Sequence, residues 1–173
     1  MSELRLFEPQ EILRRLVEEG VRFVVIGGLA AQAHGSPSLT RDLDICFDRD
    51  ADNLQRLAKV LSDVAAIRRG LPADSPRMPP LDAHTLRAAS LFTLATRFGD
   101  FDLLASPDPG LDYQGLITNA VRYPVFGVDV RIAGLSDLMA MKRAAGRPKD
   151  LIELEVLGAL REEIDRRGRQ GSR

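Results

Sequence analysis

The sequence predicts an α/β (α+β) fold in which a central mixed β-sheet is packed by helices and followed by C-terminal helices. Three observations carry this reading. A nearly continuous apolar run, Arg22-Phe-Val-Val-Ile26, suits a strand buried on both faces, and it stops at Gly27-Gly28. From Arg41 to Phe47 polar and apolar residues alternate, the mark of a strand with two unlike faces. Leu54, Leu57, Ala58, Leu61 and Ala65 then recur at helical spacing, as a crossover helix requires.

Taken in order, Phe7 to Glu19 reads as a helix with Ile12, Leu13, Leu16 and Val17 on one face, Pro9 in its first turn and Gly20 as its stop. The strand ending at Ile26 is followed by a short helix, roughly Leu29 to His34, stopped by Gly35. Beyond the Arg41–Phe47 strand, Asp48-Arg-Asp50 is a polar turn able to cap the crossover helix, which runs to about Ala66. Ile67 to Leu81 holds Gly70, Pro72, Pro76, Pro79 and Pro80 and reads as a long loop. Ser90 to Ala105 reads as a hairpin turning around Phe98-Gly99-Asp100. A short helix over Asp112–Asn119 precedes a second hairpin, Val121–Phe126 and Val128–Ile132, whose Pro124 argues for a sheet edge. Ser136 is placed to cap a helix ending near Ala145 at Gly146, and Pro148 opens a last helix with Leu151, Leu154, Leu157 and Ile164 as its stripe.

At 173 residues, 45% hydrophobic and 28% charged, the chain reads as one domain spanning 1–173, with a core over about 8–132 and a C-terminal helical segment over about 134–166. A net charge of −1 gives no general attraction to nucleic acid, so DNA binding is not evident and an RNA partner would need a local basic patch. The single cysteine, Cys46, excludes an intrachain disulfide and a cysteine-based zinc cluster. The start, MSELRLFEPQ, shows no signal-peptide core and no apolar run reaches membrane-spanning length, so a cytoplasmic protein is expected, with no membrane partner.

The chemistry concentrates between Val21 and Asp48. Asp42 and Asp44, two apart on a strand, share a face and would each raise the other's pKa unless a cation intervenes. A hard divalent ion removes that conflict, although two solvated acids on an edge strand would also fit a lone D-x-D. The glycine pair opening a helix supplies an anion site beside them. His34 reads as a helix-end residue rather than a base. No P-loop, G-x-S-x-G elbow or C-x-x-C is present.

Taken together, Ile26-Gly27-Gly28, thirteen intervening residues and Asp42-Leu43-Asp44 resemble the signature of the nucleotidyltransferase fold superfamily, the DNA polymerase β-like proteins. The fuller string GGLAAQAHG…LTRDLDI is similar to the small bacterial branch of minimal and abortive-infection-type toxin nucleotidyltransferases. The resemblance implies a nucleotidyltransferase fold and a catalytic, metal-binding triad of Asp42, Asp44 and Asp102. Asp102 stands in Gly99-x-x-Asp102-Leu-Leu and is preferred to Asp100, which reads as a turn residue beside Gly99. Gly27, Gly28 and Thr40 join the implied nucleotide-binding set. So do Lys142, Arg147, Lys149 and Asp150, because Met141–Asp150 resembles the K-x-x-A-x-x-R-x-K-D segment of the toxin-like branch. A cation cluster there could also simply neutralise a helix C-terminus. Ser38 departs from the pattern, since members often carry Arg at that position; a phosphate contact is then lacking or comes from elsewhere.

The implied reaction moves a nucleoside monophosphate from a nucleoside triphosphate such as ATP to an RNA, protein or small-molecule acceptor. It would use two Mg²⁺ ions, with Mn²⁺ as a possible substitute. A toxin–antitoxin setting, with a cognate toxin or antitoxin as partner, is the expected context. The reading from another class is a nucleotide-binding or partner-binding module that keeps the fold without turnover.

Overall fold

The computed structural model describes residues 6–70 and 78–170. The first helix, α1 (Pro9–Glu18), has Pro at its first turn and buries Ile12, Leu13 and Leu16 completely. Val17 lies on the other side of that face and is exposed, so the apolar stripe is narrower than the sequence suggests. β1 (Phe23–Ile26) is buried at every position and leads directly into α2 (Gly27–Ala33), which begins at the glycine pair rather than at Leu29. His34 ends α2 and hydrogen-bonds through its ring Nε2 to the Ala133 backbone oxygen at 2.8 Å.

β2 (Asp42–Phe47) alternates as expected: Leu43, Ile45 and Phe47 are fully buried while Asp42 and Asp44 are partly exposed on the opposite face. After it, Asp48 and Asp50 do not cap α3 (Ala51–Asp63). Arg22 draws their carboxylates away at 2.7 and 2.9 Å, and Asn53 ties the ends of β1 and β2 together through Arg22 and Asp48 backbone atoms. The helix stops earlier than Ala66 because Ala65 turns into a left-handed conformation, φ 53°, and is exposed.

The stretch assigned to loop begins instead with a short strand, β3 (Ile67–Arg68), followed by Arg69, whose N–H donates to the Thr93 backbone oxygen; the part over 71–77 lies outside the described residues. A helix the sequence did not announce, α4 (Ala83–Ala88), is capped by Asp82 accepting from the Thr85 N–H at 2.8 Å. Then come β4 (Leu91–Thr96) and β5 (Gly99–Leu104). Asp100 is therefore a strand residue, correcting its assignment to the turn. The order closes with α5 (Tyr113–Asn119), β6 (Val121–Val125), β7 (Val128–Ile132), α6 (Leu135–Ala145) and α7 (Pro148–Gln170). Gly134, not Ser136, is the N-cap of α6; a Cβ there would lie 2.8 Å from the Asn119 backbone oxygen, so the close crossing demands glycine.

The strands form one mixed sheet in the order β3-β4-β5-β2-β1-β7-β6. β1 pairs antiparallel with β2 and parallel with β7, and β2 pairs parallel with β5. β6, with Pro124, is an edge as expected. The parallel β2–β5 register is what matters for the site: it sets Asp42 opposite Asp100 and Asp44 opposite Asp102. Both strands place these residues at alternate positions, so four carboxylates share one face in a two-by-two arrangement. Of the apolar stripe on α7 only Leu157 is fully buried; Leu154 is half-buried, Leu151 and Ile164 are exposed, and Leu160 lies against Gly35.

Candidate active site

All ten residues singled out in the sequence, Gly27, Gly28, Thr40, Asp42, Asp44, Asp102, Lys142, Arg147, Lys149 and Asp150, line a single cleft of about 620 Å³. Its floor is the carboxylate face of β2 and β5. One wall is the start of α2 with the loop before β2, and another is the α6–α7 junction.

The glycine pair is dictated by what packs on it. Gly27 has φ 66°, a conformation costly for a residue with a Cβ, and such a Cβ would overlap Asp44 Oδ2 and lie 2.9 Å from its Cγ. At Gly28 a Cβ would come within 2.6 Å of Thr40 Cβ. The two glycines thus let Asp44 and Thr40 lie flat on the chain. Thr40 in turn donates from Oγ1 to Asp42 Oδ1 at 2.7 Å, fixing the first carboxylate.

Asp42, Asp44 and Asp102 each present an oxygen within 4.8 Å of the others. Burial, together with the Asp42 and Asp102 carboxylates, pushes the Asp44 carboxyl up to about 7, while Lys142 and Arg69 pull the other way. Burial also raises Asp102, against the pull of Arg69. Three converging carboxylates with a proton retained near neutrality are a site that is short of positive charge. An all-oxygen donor set of this kind suits a hard divalent cation, Mg²⁺ or Mn²⁺, and offers neither the nitrogen nor the sulfur that zinc sites favour.

Positive charge on the cleft wall is organised by Asp150, which is 0% exposed. It accepts from Arg147 Nε at 2.6 Å and Lys142 Nζ at 3.3 Å; burial would raise its pKa, but these two bonds outweigh burial and hold the carboxyl below the usual range. Lys142 lies 3.9 Å from Glu153, whose other oxygen accepts from Ser36 Oγ at 3.1 Å. Asp150→Asn should therefore lower stability at pH 7 by about 2 kcal/mol, because it leaves two cations short of a partner. A depressed carboxylate pKa supplies stability above the unfolded value near 4 that is lost as pH falls through the folded one, so in urea titrations the gap between variant and parent should close below about pH 4.

One neighbour of the triad, Arg69, escaped the sequence reading, and another, Asp100, was weighed there and set aside. Arg69 donates to Asp100 at 2.8 Å through one terminal nitrogen and to Asp102 through the other. Nothing in its neighbourhood marked it, since its partners are some thirty residues distant and are brought near only by the β3–β4–β5 pairing. Asp100 was legible as the i−2 neighbour of Asp102 but was obscured by Gly99. Ser38 lines the cleft without supplying a cation; Arg41, exposed on the same rim, and Arg147 are the guanidinium groups among the lining residues.

No protein-family model and no curated protein matches the chain. Solved structures do resemble it. The lincosamide antibiotic adenylyltransferase LnuA, in a lincomycin-bound structure, is 14% identical, aligns over 88% of this chain and 95% of its own, and gives a TM-score of 0.58. The antibiotic-resistance factor ANT(2'')-Ia is 12% identical over 95% of each chain, with a TM-score of 0.52. TM1012 of Thermotoga maritima, a proposed nucleotidyltransferase, is 15% identical over 96% of this chain and 99% of its own, with a TM-score of 0.50.

Proposed function

We propose that this chain, whose fold is that of the nucleotidyltransferases, transfers a nucleoside monophosphate from a nucleoside triphosphate to a hydroxyl-bearing acceptor with the help of Mg²⁺ or Mn²⁺. One observation carries the reading: three carboxylates converge at one point of a cleft whose wall is cationic, the charge pattern a metal–triphosphate complex needs.

In this reaction the acceptor oxygen forms a bond to the α-phosphorus, the bond from that phosphorus to the β-bridging oxygen breaks, pyrophosphate leaves, and the hydroxyl proton passes to solvent or a carboxylate. The bound cations would neutralise the phosphates and favour the ionised acceptor hydroxyl. Asp42, Asp44 and Asp102 would hold them. Lys142, Arg147 and Lys149 would bind the triphosphate, Asp150 would aim the first two, and Gly27, Gly28 and the first-turn N–H groups of α2 would let phosphate approach the backbone closely. Catalysis then rests on positioning and countercharge.

The acceptor is an RNA, a protein or a small molecule. LnuA, named for adenylyl transfer to a lincosamide, supports the last, whereas a toxin–antitoxin role would place the nucleotide on RNA or protein. No helix among the described residues is long and apolar enough to cross a membrane; a cytoplasmic location is part of this proposal. The reaction class is tested by supplying lysate and enzyme with α-labelled or γ-labelled triphosphates. Label from the α position should appear on an acceptor and label from the γ position should leave as pyrophosphate. Transfer of γ label to an acceptor would mean a kinase.

A further inference from the structure

Four carboxylates share the floor of the cleft, yet only three converge. Asp100 sits beside Asp42 in the register and two residues from Asp102 on the same face, so strand geometry alone would let it join them. Its carboxylate instead accepts from Arg69. The Arg69 guanidinium spans both residues of β5, one terminal nitrogen on Asp100 at 2.8 Å and the other on Asp102, and in this splayed arrangement its buried Nε has no hydrogen-bond partner among the described residues. A bidentate pairing with one carboxylate would be the stronger geometry. Asp100 remains 39% exposed at its side chain, against 15% for Asp102.

We propose that Arg69 is a positioning residue that sets the composition of the metal site by holding Asp100 out of the Asp42–Asp44–Asp102 cluster. This inference rests on those three acids being the metal ligands. A three-carboxylate site leaves room for water and phosphate oxygens, as small, octahedral Mg²⁺ requires; a fourth carboxylate raises ligand number and charge and favours the larger Ca²⁺, which takes six to eight oxygens. Arg69 thereby protects a Mg²⁺-type site from becoming a Ca²⁺ trap.

Titration calorimetry of the whole protein with MgCl₂ and with CaCl₂ alone tests this. Arg69→Gln should raise the ratio of Ca²⁺ to Mg²⁺ affinity by about tenfold or more, the scale on which outer-shell partners act. Arg69→Gln/Asp100→Asn should return the ratio to the parental one, since the intruding carboxylate is gone, and Asp100→Asn alone should leave it unchanged. Arg69→Lys, whose point charge cannot span both acids, should shift it in the same direction but less, and it serves where Arg69→Gln does not fold. An unchanged ratio, an equal loss for both ions, or a shift that persists in the double variant would overturn the proposal. If the parent protein itself shows no metal binding that Asp42→Asn abolishes, the metal-site reading fails instead, and the two failures are told apart.

Discussion

In metal-free buffer at pH 8, Asp44→Asn should be more stable than the parent protein while losing nearly all transfer activity. The Asp44 carboxyl is pushed to about 7 by burial and by Asp42 and Asp102, so above that pH folding carries an already ionised carboxylate into surroundings that disfavour its charge. For an acid with a raised folded-state pKa, the stability it contributes is complete below the unfolded value near 4 and is lost as pH rises to about 7. The loss is on the order of 4 kcal/mol, and a neutral amide avoids it. Chemical denaturation of both proteins at pH 4.5 and pH 8, in chelator, reads the effect directly: the curves should nearly coincide at the lower pH and separate at the higher. Activity should fall by about 10³-fold, corresponding to the several kcal/mol of charge stabilisation a bound cation supplies. A variant less stable than its parent at pH 8 would mean that the carboxylates are already compensated in the free protein.

Gly27→Ala should be the most damaging small substitution in the chain. It combines a left-handed backbone at φ 66°, costing about 1–2 kcal/mol for a residue with a Cβ, with direct overlap of the Asp44 carboxylate. Asp44 Cβ itself would lie 3.0 Å away, so rotation of the side chain alone does not relieve the contact. We expect a loss of about 3 kcal/mol in stability and the disappearance of any metal-induced stabilisation. Gly127→Ala is the matched control. Its φ is 77° with open space around the missing Cβ, so it should cost only the backbone term, about 1 kcal/mol, and leave metal response intact. Equal effects at the two glycines would show that conformation, not contact with Asp44, determines the requirement at Gly27.

The parts of this molecule legible in its sequence are those where one local pattern has one physical solution. A run such as Phe23–Ile26 must be buried on both faces, and the alternation from Asp42 to Phe47 assigns every side chain to a face without knowledge of the neighbours. The glycine pair and the cationic α6–α7 junction were legible for the same reason, and all ten candidates do line one cleft. What remained hidden depends on pairing between distant segments. Arg69 follows a two-residue strand inside a stretch whose glycine and prolines suggested only loop, and its importance arises when β3 joins β4 and β4 joins β5. Local signals also lost to tertiary competition: Asp50 is a good capping residue, but the Arg22 guanidinium binds its carboxylate instead. Ser136 failed as a cap because Gly134 must pass close to Asn119 and takes the position first. On α7 the apolar stripe continues to Ile164, beyond the point where the rest of the molecule covers it.

The claim that metal and triphosphate meet between the aspartate triad and the Asp150-organised cations is tested most directly by ligand-induced stabilisation, which needs no acceptor. The parent protein and Asp42→Asn/Asp44→Asn are unfolded with and without a saturating triphosphate, in Mg²⁺ and in chelator. At a triphosphate concentration about 100 times its dissociation constant the parent should gain roughly 2.7 kcal/mol, in Mg²⁺ only, and the double variant should gain none. The same gain in both proteins, or a gain in the parent that persists in chelator, would contradict the account.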